Sequence, residues 1–360
     1  MLRLSNSILQ SKGFTIVNSQ LRYLFSWEEL GIEGYKHART DVENLVANHS
    51  DYKKNFRKHF IDNQCDMVKY ENKLKDLIYM INKNSDDIRI LKGALNTLVQ
   101  KRKGYMGKKY CFSTVIMRAF HYLNMPVEAI KFFDDKIIGQ LFTDNIGHQV
   151  LLDMLYENKK YDDVLRVYES LDKRGHLRGN NRRHLDVIVL ATYYRLNTPE
   201  ALKQAYALWK EMQSNGSHQY RKSRTFVAGL AIKQNEPQLA LDIIEDEEQQ
   251  LYVNNRHILL LAWAQLQRYT DIIEMLKYLF EIHKNDGKSY TTSIQVLQVI
   301  EELFTGKQDE EISDREIAEF ISIRESIELE NLVTKKTFDE LICAPFSTKP
   351  SRNIYFKLKG

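Results

Sequence analysis

Glycine, proline and cysteine are all scarce in this chain of 360 residues, which contains 15 Gly, 5 Pro and 3 Cys. So few glycines and prolines argue against a disordered chain and against an all-β fold, whose many turns depend on these residues. Cys65, Cys111 and Cys343 are far apart and form no CxxC pair, so we expect reduced thiols rather than a zinc site or a disulfide framework. No apolar run approaches the roughly 18 residues of a membrane-spanning helix, and we expect no membrane span.

Acidic residues are absent from residues 1–27. This segment contains Arg3, Lys12 and Arg22, together with five Ser or Thr up to Ser19. A basic, Ser-rich segment without acid is typical of a mitochondrial transit peptide, and its apolar blocks are too short for a secretory signal. The sequence therefore predicts a transit peptide over residues 1–27 and a location in the mitochondrion, in the matrix. An ordinary flexible N-terminus is the alternative.

Sequence motifs for catalysis are also missing. The chain contains no P-loop, GxGxxG, HExxH or GxSxG pattern. Six histidines are scattered at no metal-ligand spacing: His121, His148, His176, His184, His218 and His257. We therefore predict a binding protein that is not an enzyme and that has no cofactor and no metal.

A repeated apolar pattern is what the chain does contain. In Val150–Leu171, apolar residues recur at i, i+3 and i+4 on both sides of the polar stretch 158–160, which predicts two short amphipathic helices in an antiparallel hairpin. Similar segments occur about 35 residues upstream and again downstream: Val115–Phe133, Asp186–Trp209, Phe226–Ile244 and Ile258–Leu276. The segment Asp186–Trp209 fits with about five extra residues, which we place in its turn.

The turns between the helices repeat as well. Asn124, Asn197 and Asn235 each precede a proline by two residues. Asn caps helix N-termini and Pro is tolerated at the first helical position, so the pattern predicts that the second helix of each hairpin begins here.

Five consecutive hairpins of this kind predict an all-α fold, a right-handed α-solenoid of helix-turn-helix repeats with helical N- and C-terminal caps. Ser313 and Glu316 have capping-box spacing and predict the start of a C-terminal helix. The predicted parts are a transit peptide (1–27), an N-terminal helical region (28–109), five degenerate hairpins (110–284), acidic C-terminal helices (285–344) and an extended basic tail (345–360).

Basic and acidic residues are unevenly distributed. Residues 236–331 contain 8 Lys or Arg and 21 Asp or Glu, a net charge of −13, whereas the rest of the chain contains 44 and 27, a net charge of +17. Such asymmetry indicates one part that faces a polyanion and another that meets protein partners. The predicted phosphate contacts lie in the loop before the first hairpin and at the edges between later hairpins: Lys101, Arg102, Lys103, Lys173, Arg174, Arg178, Arg182, Arg183, Arg221, Lys222 and Arg224.

The chain resembles the pentatricopeptide repeat in three features. Its hairpins recur with a period near 35 residues, the second helix carries an Ala-type residue, and an apolar residue follows four places later. Closer similarity is to the animal mitochondrial pentatricopeptide repeat-containing protein 2 family, and it is carried by Gly31–Phe56, Gly147–Leu171, Val189–Lys203 and Leu230–Ala240. The resemblance implies an imported helical-repeat protein that binds single-stranded mitochondrial RNA. It further implies a role in transcript maturation that supports respiratory-chain function.

In the pentatricopeptide pattern the fifth and last residues of a repeat read one base. Carried over to this chain, Thr114 and Asp144 resemble a guanine-type pair, and Thr225 and Asn255 resemble an adenine-type pair. Two further repeats match no standard pair, with Gln149 and Gly179 in one and His257 and Gly287 in the other. The chain also lacks the glycine that commonly ends the first helix of the repeat.

Two functions remain open from the residues alone. One is an RNA-binding adaptor that acts through backbone electrostatics and a few base contacts. The other is a helical-repeat scaffold that binds proteins during the assembly of a mitochondrial complex. The positive charge outside residues 236–331 favours the adaptor, and the acidic stretch favours some protein contact.

Overall fold

The computed structural model describes residues 23–46, 48–58, 66–107, 109–177, 182–214, 221–244, 252–305 and 313–346. The chain divides into two compact units, one formed by Tyr23–Ile188 and a second that contains the chain from Val189 onward. The predicted transit peptide falls almost wholly outside the described residues, as does most of the predicted tail. The first unit begins with four helices: α1 (Ile32–Leu45), α2 (His49–Phe56), α3 (Met67–Met80) and α4 (Ser85–Lys101).

Five helix pairs follow along the chain. They are α5 (Ser113–Tyr122) with α6 (Pro126–Asp134), α7 (Asn145–Glu157) with α8 (Tyr161–Lys173), α9 (Arg183–Leu196) with α10 (Pro199–Ser214), α11 (Arg221–Lys233) with α12 (Pro237–Ile244), and α13 (Val253–Gln265) with α14 (Tyr269–Asp286). A short 3₁₀ turn, Ile138–Leu141, precedes α7. The fold is all-α and is built from helix-turn-helix repeats, so the predicted fold class is confirmed.

The first and second helices of a pair are buried in different ways. In α7 every residue from Gly147 to Tyr156 is buried, including the polar ones, whereas α8 buries only Val164, Val167 and Leu171. Both predicted helices are present, but the prediction that the first of them is amphipathic is wrong over Gly147–Tyr156. Its central part has neighbours on all sides, so that only the second helix keeps the one-sided apolar stripe of a surface helix.

The turn inside each pair has the same backbone geometry. A residue with positive φ stands two places before the second helix: Asn124 (49°), Lys159 (57°), Asn197 (52°), Asn235 (61°) and Gln267 (61°). In four of the turns the next amide donates to the carbonyl five residues earlier at 2.9 Å, which closes the first helix in a Schellman-type end. The asparagines thus end the first helix, and the prediction that they cap the second is wrong.

Pro126, Pro199 and Pro237 do begin the second helices, as predicted. The third pair departs from the prediction in another way, because only Asn197 and Thr198 separate its helices. Its extra residues lie instead in α10, which has 16 residues, compared with 9 in α6.

Replacing Lys159 with Gly is expected to raise the free energy of unfolding by about 0.5–1 kcal/mol, because a left-handed backbone is strained for a residue with a Cβ. The gain is smaller than that strain because glycine also loses more entropy on folding. Urea denaturation followed by circular dichroism measures it. Asn124→Gly is the matched control and should change stability by only a few tenths of a kcal/mol, since Asn tolerates this conformation. A loss of stability in Lys159→Gly would contradict the assignment of strain.

The C-terminal part contains three helices and one short parallel strand pair. The helices are α15 (Ile294–Thr305), α16 (Asp314–Leu329) and α17 (Phe338–Ile342), and the strands are β1 (Thr292–Ser293) and β2 (Val333–Thr334). Ser313 and Glu316 form the predicted capping box at the start of α16. The strand pair was not predicted. Among the described residues, no helix is both long and apolar enough to cross a membrane.

Candidate nucleic-acid interface

Thr114 and Asp144, the two predicted base-reading residues of the first repeat, lie in direct contact. The Thr114 hydroxyl donates to Asp144 Oδ1 at 2.6 Å, and the Gly147 amide donates to the same oxygen at 2.7 Å. Burial alone would raise the pKa of Asp144, but the Ser113 side chain and the hydrogen bonds from Thr114, Gly147 and Cys111 together outweigh it and hold the pKa below its usual value. The carboxylate is therefore charged and fixed in position beside the N-terminus of α7.

The other predicted base-reading residues lie deeper in the fold. Gln149, Thr225 and Asn255 are buried, with 9%, 4% and 3% of their surface exposed. The Thr225 hydroxyl donates to the carbonyl of Lys222 at 3.1 Å, within its own helix. His257, from a repeat that matched no standard pair, is fully buried as well. Among the predicted base-reading pairs that the structure describes completely, only the Thr114–Asp144 pair is half-exposed at both residues.

The basic residues before the first repeat differ in how far they are exposed and in whether they are paired. Arg102 is largely buried and pairs with Glu71, with 2.6 Å between Nη2 and Oε1, and it also donates to the carbonyl of Tyr110. Lys101 lies 5.5 Å from the centre of the Tyr70 ring. Lys103 is exposed. Arg102 thus joins α3 to the loop, whereas Lys103 offers its charge to solvent.

The basic segment after the second repeat also contains both exposed cations and a cation that is paired within the fold. Lys173 and Arg174 are exposed, and the Arg174 guanidinium lies 4.2 Å from the centre of the Phe133 ring. Arg182 is instead engaged by Asp186, with Nε 3.1 Å from both carboxylate oxygens, and it donates to the Tyr168 hydroxyl at 3.0 Å. Arg183 is half-buried, and Arg178 lies outside the described residues.

In the second unit, the cluster Arg221, Lys222 and Arg224 lies at the start of α11. Arg221 is exposed and its guanidinium stacks 4.1 Å from the centre of the Tyr252 ring, while Arg224 is half-buried. The Lys222 ammonium is buried without a hydrogen-bond partner among the described residues, and burial lowers its pKa to about 8. Lys222 therefore points inward rather than along the exposed edge.

A group of aromatic and basic side chains lies near Asp144, and the sequence did not predict it. The Lys75 ammonium lies 3.7 Å from the centre of the Tyr110 ring, and 37% of Tyr110 is exposed. Tyr79 and Arg118 belong to the same neighbourhood: burial raises the pKa values of Tyr79 and Tyr110 and the charge of Arg118 opposes this, while Tyr79, Tyr110 and Asp144 oppose the lowering of the pKa of Arg118 by burial. We name Lys75, Tyr79, Tyr110 and Arg118 the aromatic-basic patch.

The patch combines two properties that suit single-stranded nucleic acid. Exposed aromatic rings stack on bases, and lysine or arginine beside them attracts the phosphate backbone. Arg118 is held in place by a 2.7 Å hydrogen bond from its Nε to the carbonyl of Leu30. One signal in the sequence pointed to this place, since Tyr110 follows the predicted basic loop directly. Lys75 and Tyr79 come from α3, outside the repeats, so no repeat position indicated them.

Comparison with known proteins identifies relatives. The chain is 23% identical to pentatricopeptide repeat-containing protein 2 of Mus musculus over 344 residues, which cover 94% of this chain and 86% of the relative. Identity to the Homo sapiens protein of the same name is 22% over 327 residues, or 89% and 80% of the two chains. Identity to the Xenopus laevis protein of the same name is 23% over 274 residues, which cover 75% of this chain and 68% of the relative. The chain is similar to pentatricopeptide repeat-containing protein 2 over most of its length.

This finding confirms the resemblance that the repeat segments indicated. All three relatives carry the word mitochondrial in their names. Similarity to pentatricopeptide repeat-containing protein 2 of the mouse covers nearly the whole chain, so it extends beyond the five helix pairs to the flanking helices. No protein-family model matches the sequence.

Proposed function

We propose that this chain is a mitochondrial RNA-binding adaptor that takes part in the maturation or processing of mitochondrial transcripts and thereby supports respiratory-chain function. The observation that carries the proposal is the Thr114–Asp144 contact, which lies beside the aromatic-basic patch. It supports the proposal because the two residues at the proposed base-reading positions, aromatic rings and cations share one neighbourhood of the first unit. These are the groups that hold a single strand by its bases and by its backbone.

Location and mode of action are parts of the same proposal. The acid-free N-terminal segment and the names of the relatives support import into the mitochondrion, to the matrix. The chain acts by binding rather than by catalysis, and the base-reading role is carried by Thr114 and Asp144. Phosphate contacts are made by the exposed basic residues Lys103, Lys173, Arg174 and Arg221.

Replacing Tyr110 with Ala is expected to weaken binding of a short, labelled, single-stranded RNA of mixed sequence, because a base loses its stacking partner. Stacking on one aromatic ring contributes about 1–3 kcal/mol, which corresponds to roughly 5- to 150-fold in Kd. Fluorescence anisotropy with the full chain measures the change. Tyr23→Ala is the matched control, since 38% of Tyr23 is exposed, compared with 37% of Tyr110, and it lies outside the patch.

The salt dependence of RNA binding distinguishes base stacking from electrostatic contacts with phosphate. Lys103→Glu should reduce the slope of log K against log salt by about 0.7, the value for one phosphate contact on a single strand. Tyr110→Ala should leave that slope unchanged. If Tyr110→Ala and Tyr23→Ala bind equally well, or if the full chain does not bind RNA at all, the proposed interface is wrong.

One observation supports a second activity at the C-terminal end, which is contact with protein partners. Helix α16 is acidic and exposes two large apolar side chains, Ile321 (40%) and Leu329 (82%). Exposed apolar residues among charges are common at protein interfaces. This surface lies in the second unit and is separate in sequence from the residues of the proposed RNA interface.

A further inference from the structure

Three potential metal ligands meet between the first helices of the first two repeats. His121 lies near the end of α5, and Asp153 and Glu157 lie one turn apart on α7. The imidazole Nε2 of His121 is 3.4 Å from Asp153 Oδ2 and 3.6 Å from Glu157 Oε2. The three ligand atoms all lie within 4.8 Å of one another.

These separations are long for direct ion pairs and suitable for ligands around an ion. A charged N–H···O hydrogen bond is about 2.7–2.9 Å long, well below both distances. A tetrahedral ion with nitrogen and oxygen ligands at about 2.0–2.2 Å separates neighbouring ligand atoms by about 3.4 Å. Both distances from His121 thus match the separation of neighbouring ligand atoms around a small cation.

Burial makes this cluster unlike an ordinary acidic surface. Asp153 is fully buried, and its second oxygen, Oδ1, makes no well-formed hydrogen bond among the described residues, although the backbone amide of Phe25 also acts on the carboxylate. His121 is buried as well, whereas 21% of the Glu157 side chain is exposed, so solvent reaches the cluster from the Glu157 side. A charged or orphaned carboxylate in such a place is costly unless a cation compensates it.

The charges of the surrounding groups add to the need for a compensating cation. Asp153 and Glu157 bring two carboxylates to one imidazole, and the nearby Glu29 adds further negative charge. Among the described residues, the basic side chain that faces both carboxylates from α5 is His121, whose neutral imidazole can bind a metal. A divalent ion would compensate both carboxylates at once.

We propose that His121, Asp153 and Glu157 form a Zn²⁺ site that ties the first repeat to the second. One imidazole and two carboxylates are ligands that zinc accepts, and the imidazole disfavours Mg²⁺ and Ca²⁺, which prefer oxygen alone. A water molecule completes the tetrahedron from the Glu157 side. This site stabilises the array, and it does not depend on RNA binding.

The test is equilibrium dialysis of the full chain, first stripped with a chelator, against Zn²⁺, with bound metal measured by atomic emission. We expect one Zn²⁺ per chain, little binding of Mg²⁺, and a rise in melting temperature on addition of Zn²⁺. Glu157→Gln keeps the shape of the side chain at the accessible edge and should weaken binding at least tenfold. His121→Gln removes the nitrogen ligand and should do the same.

Glu169→Gln is the matched control, because Glu169 is an exposed carboxylate on the neighbouring helix α8. It should retain full binding and the same zinc-dependent rise in melting temperature. Circular dichroism of each variant without metal shows that the helices are intact. Binding below one ion per chain, or binding that survives both Glu157→Gln and His121→Gln, would overturn the proposal.

Discussion

Replacing Arg102 with Met is expected to lower the free energy of unfolding by about 3–5 kcal/mol, the usual effect of removing one partner of a buried ion pair. Only 14% of the Arg102 side chain and 10% of the Glu71 side chain are exposed. The guanidinium also donates to the carbonyl of Tyr110, so its loss leaves that oxygen unpaired as well. Urea denaturation of the full chain, followed by circular dichroism, measures the change.

Two further variants separate this effect from a general effect of charge. Lys103→Met removes the next positive charge along the chain and should change stability by less than about 0.5 kcal/mol, since Lys103 is exposed. The double variant Arg102→Met with Glu71→Gln should recover part of the loss, because no uncompensated carboxylate remains. Equal effects of Arg102→Met and Lys103→Met would mean that the pair has no structural role.

Acid is expected to destabilise the second unit through His257, which is fully buried in α13. The Ser293 amide donates to Nε2 at 2.8 Å, and Nδ1 donates to the carbonyl of Val253, so both ring atoms are satisfied in the neutral imidazole. Burial lowers the pKa of His257 from 6.5 to about 4. Above pH 6.5 the folded and unfolded states both hold a neutral ring.

As the pH falls below 6.5, the unfolded chain takes up a proton that the folded chain does not accept until about pH 4. The contribution of His257 to stability is therefore complete above pH 6.5 and is lost as the pH falls towards 4, by about 3 kcal/mol at most. Free energies of unfolding at several pH values in this range measure the loss.

His257→Gln is the control, because its amide donates and accepts one hydrogen bond each and does not titrate. The variant should be less stable than the wild type at neutral pH, and the difference between them should shrink as the pH falls to 4. A difference that stays constant over this range would show that His257 does not link folding to protonation.

Local patterns of the sequence predicted the helix pairs, because their signals are short in range. The apolar spacing of Val150–Leu171, the prolines at the first helical positions and the capping box at Ser313 each depend on residues within a few places of one another. Such local signals act in almost any tertiary context. The asparagine turns were misread because Asn suits both a helix N-cap and a left-handed helix end.

The sequence did not show which cations remain exposed, because it does not reveal the acidic partners of the others. Arg102 and Glu71 are 31 residues apart, so no local pattern revealed their pairing. The Arg182–Asp186 pair has i, i+4 spacing and was open to recognition, yet a cluster of arginines suggested phosphate instead. His121 is brought to Asp153 only by the packing of neighbouring repeats, 32 residues apart.

The contrast between the first and second helices of a pair has a consequence for how such a chain changes over evolutionary time. A helix such as α7, buried along ten consecutive residues, has almost no position at which a new side chain escapes the core. The outer face of α8 accepts many residues, because only Val164, Val167 and Leu171 are enclosed. Substitutions are therefore tolerated at more positions of α8 than of α7, so a change on the outer face of the second helix leaves the fold intact.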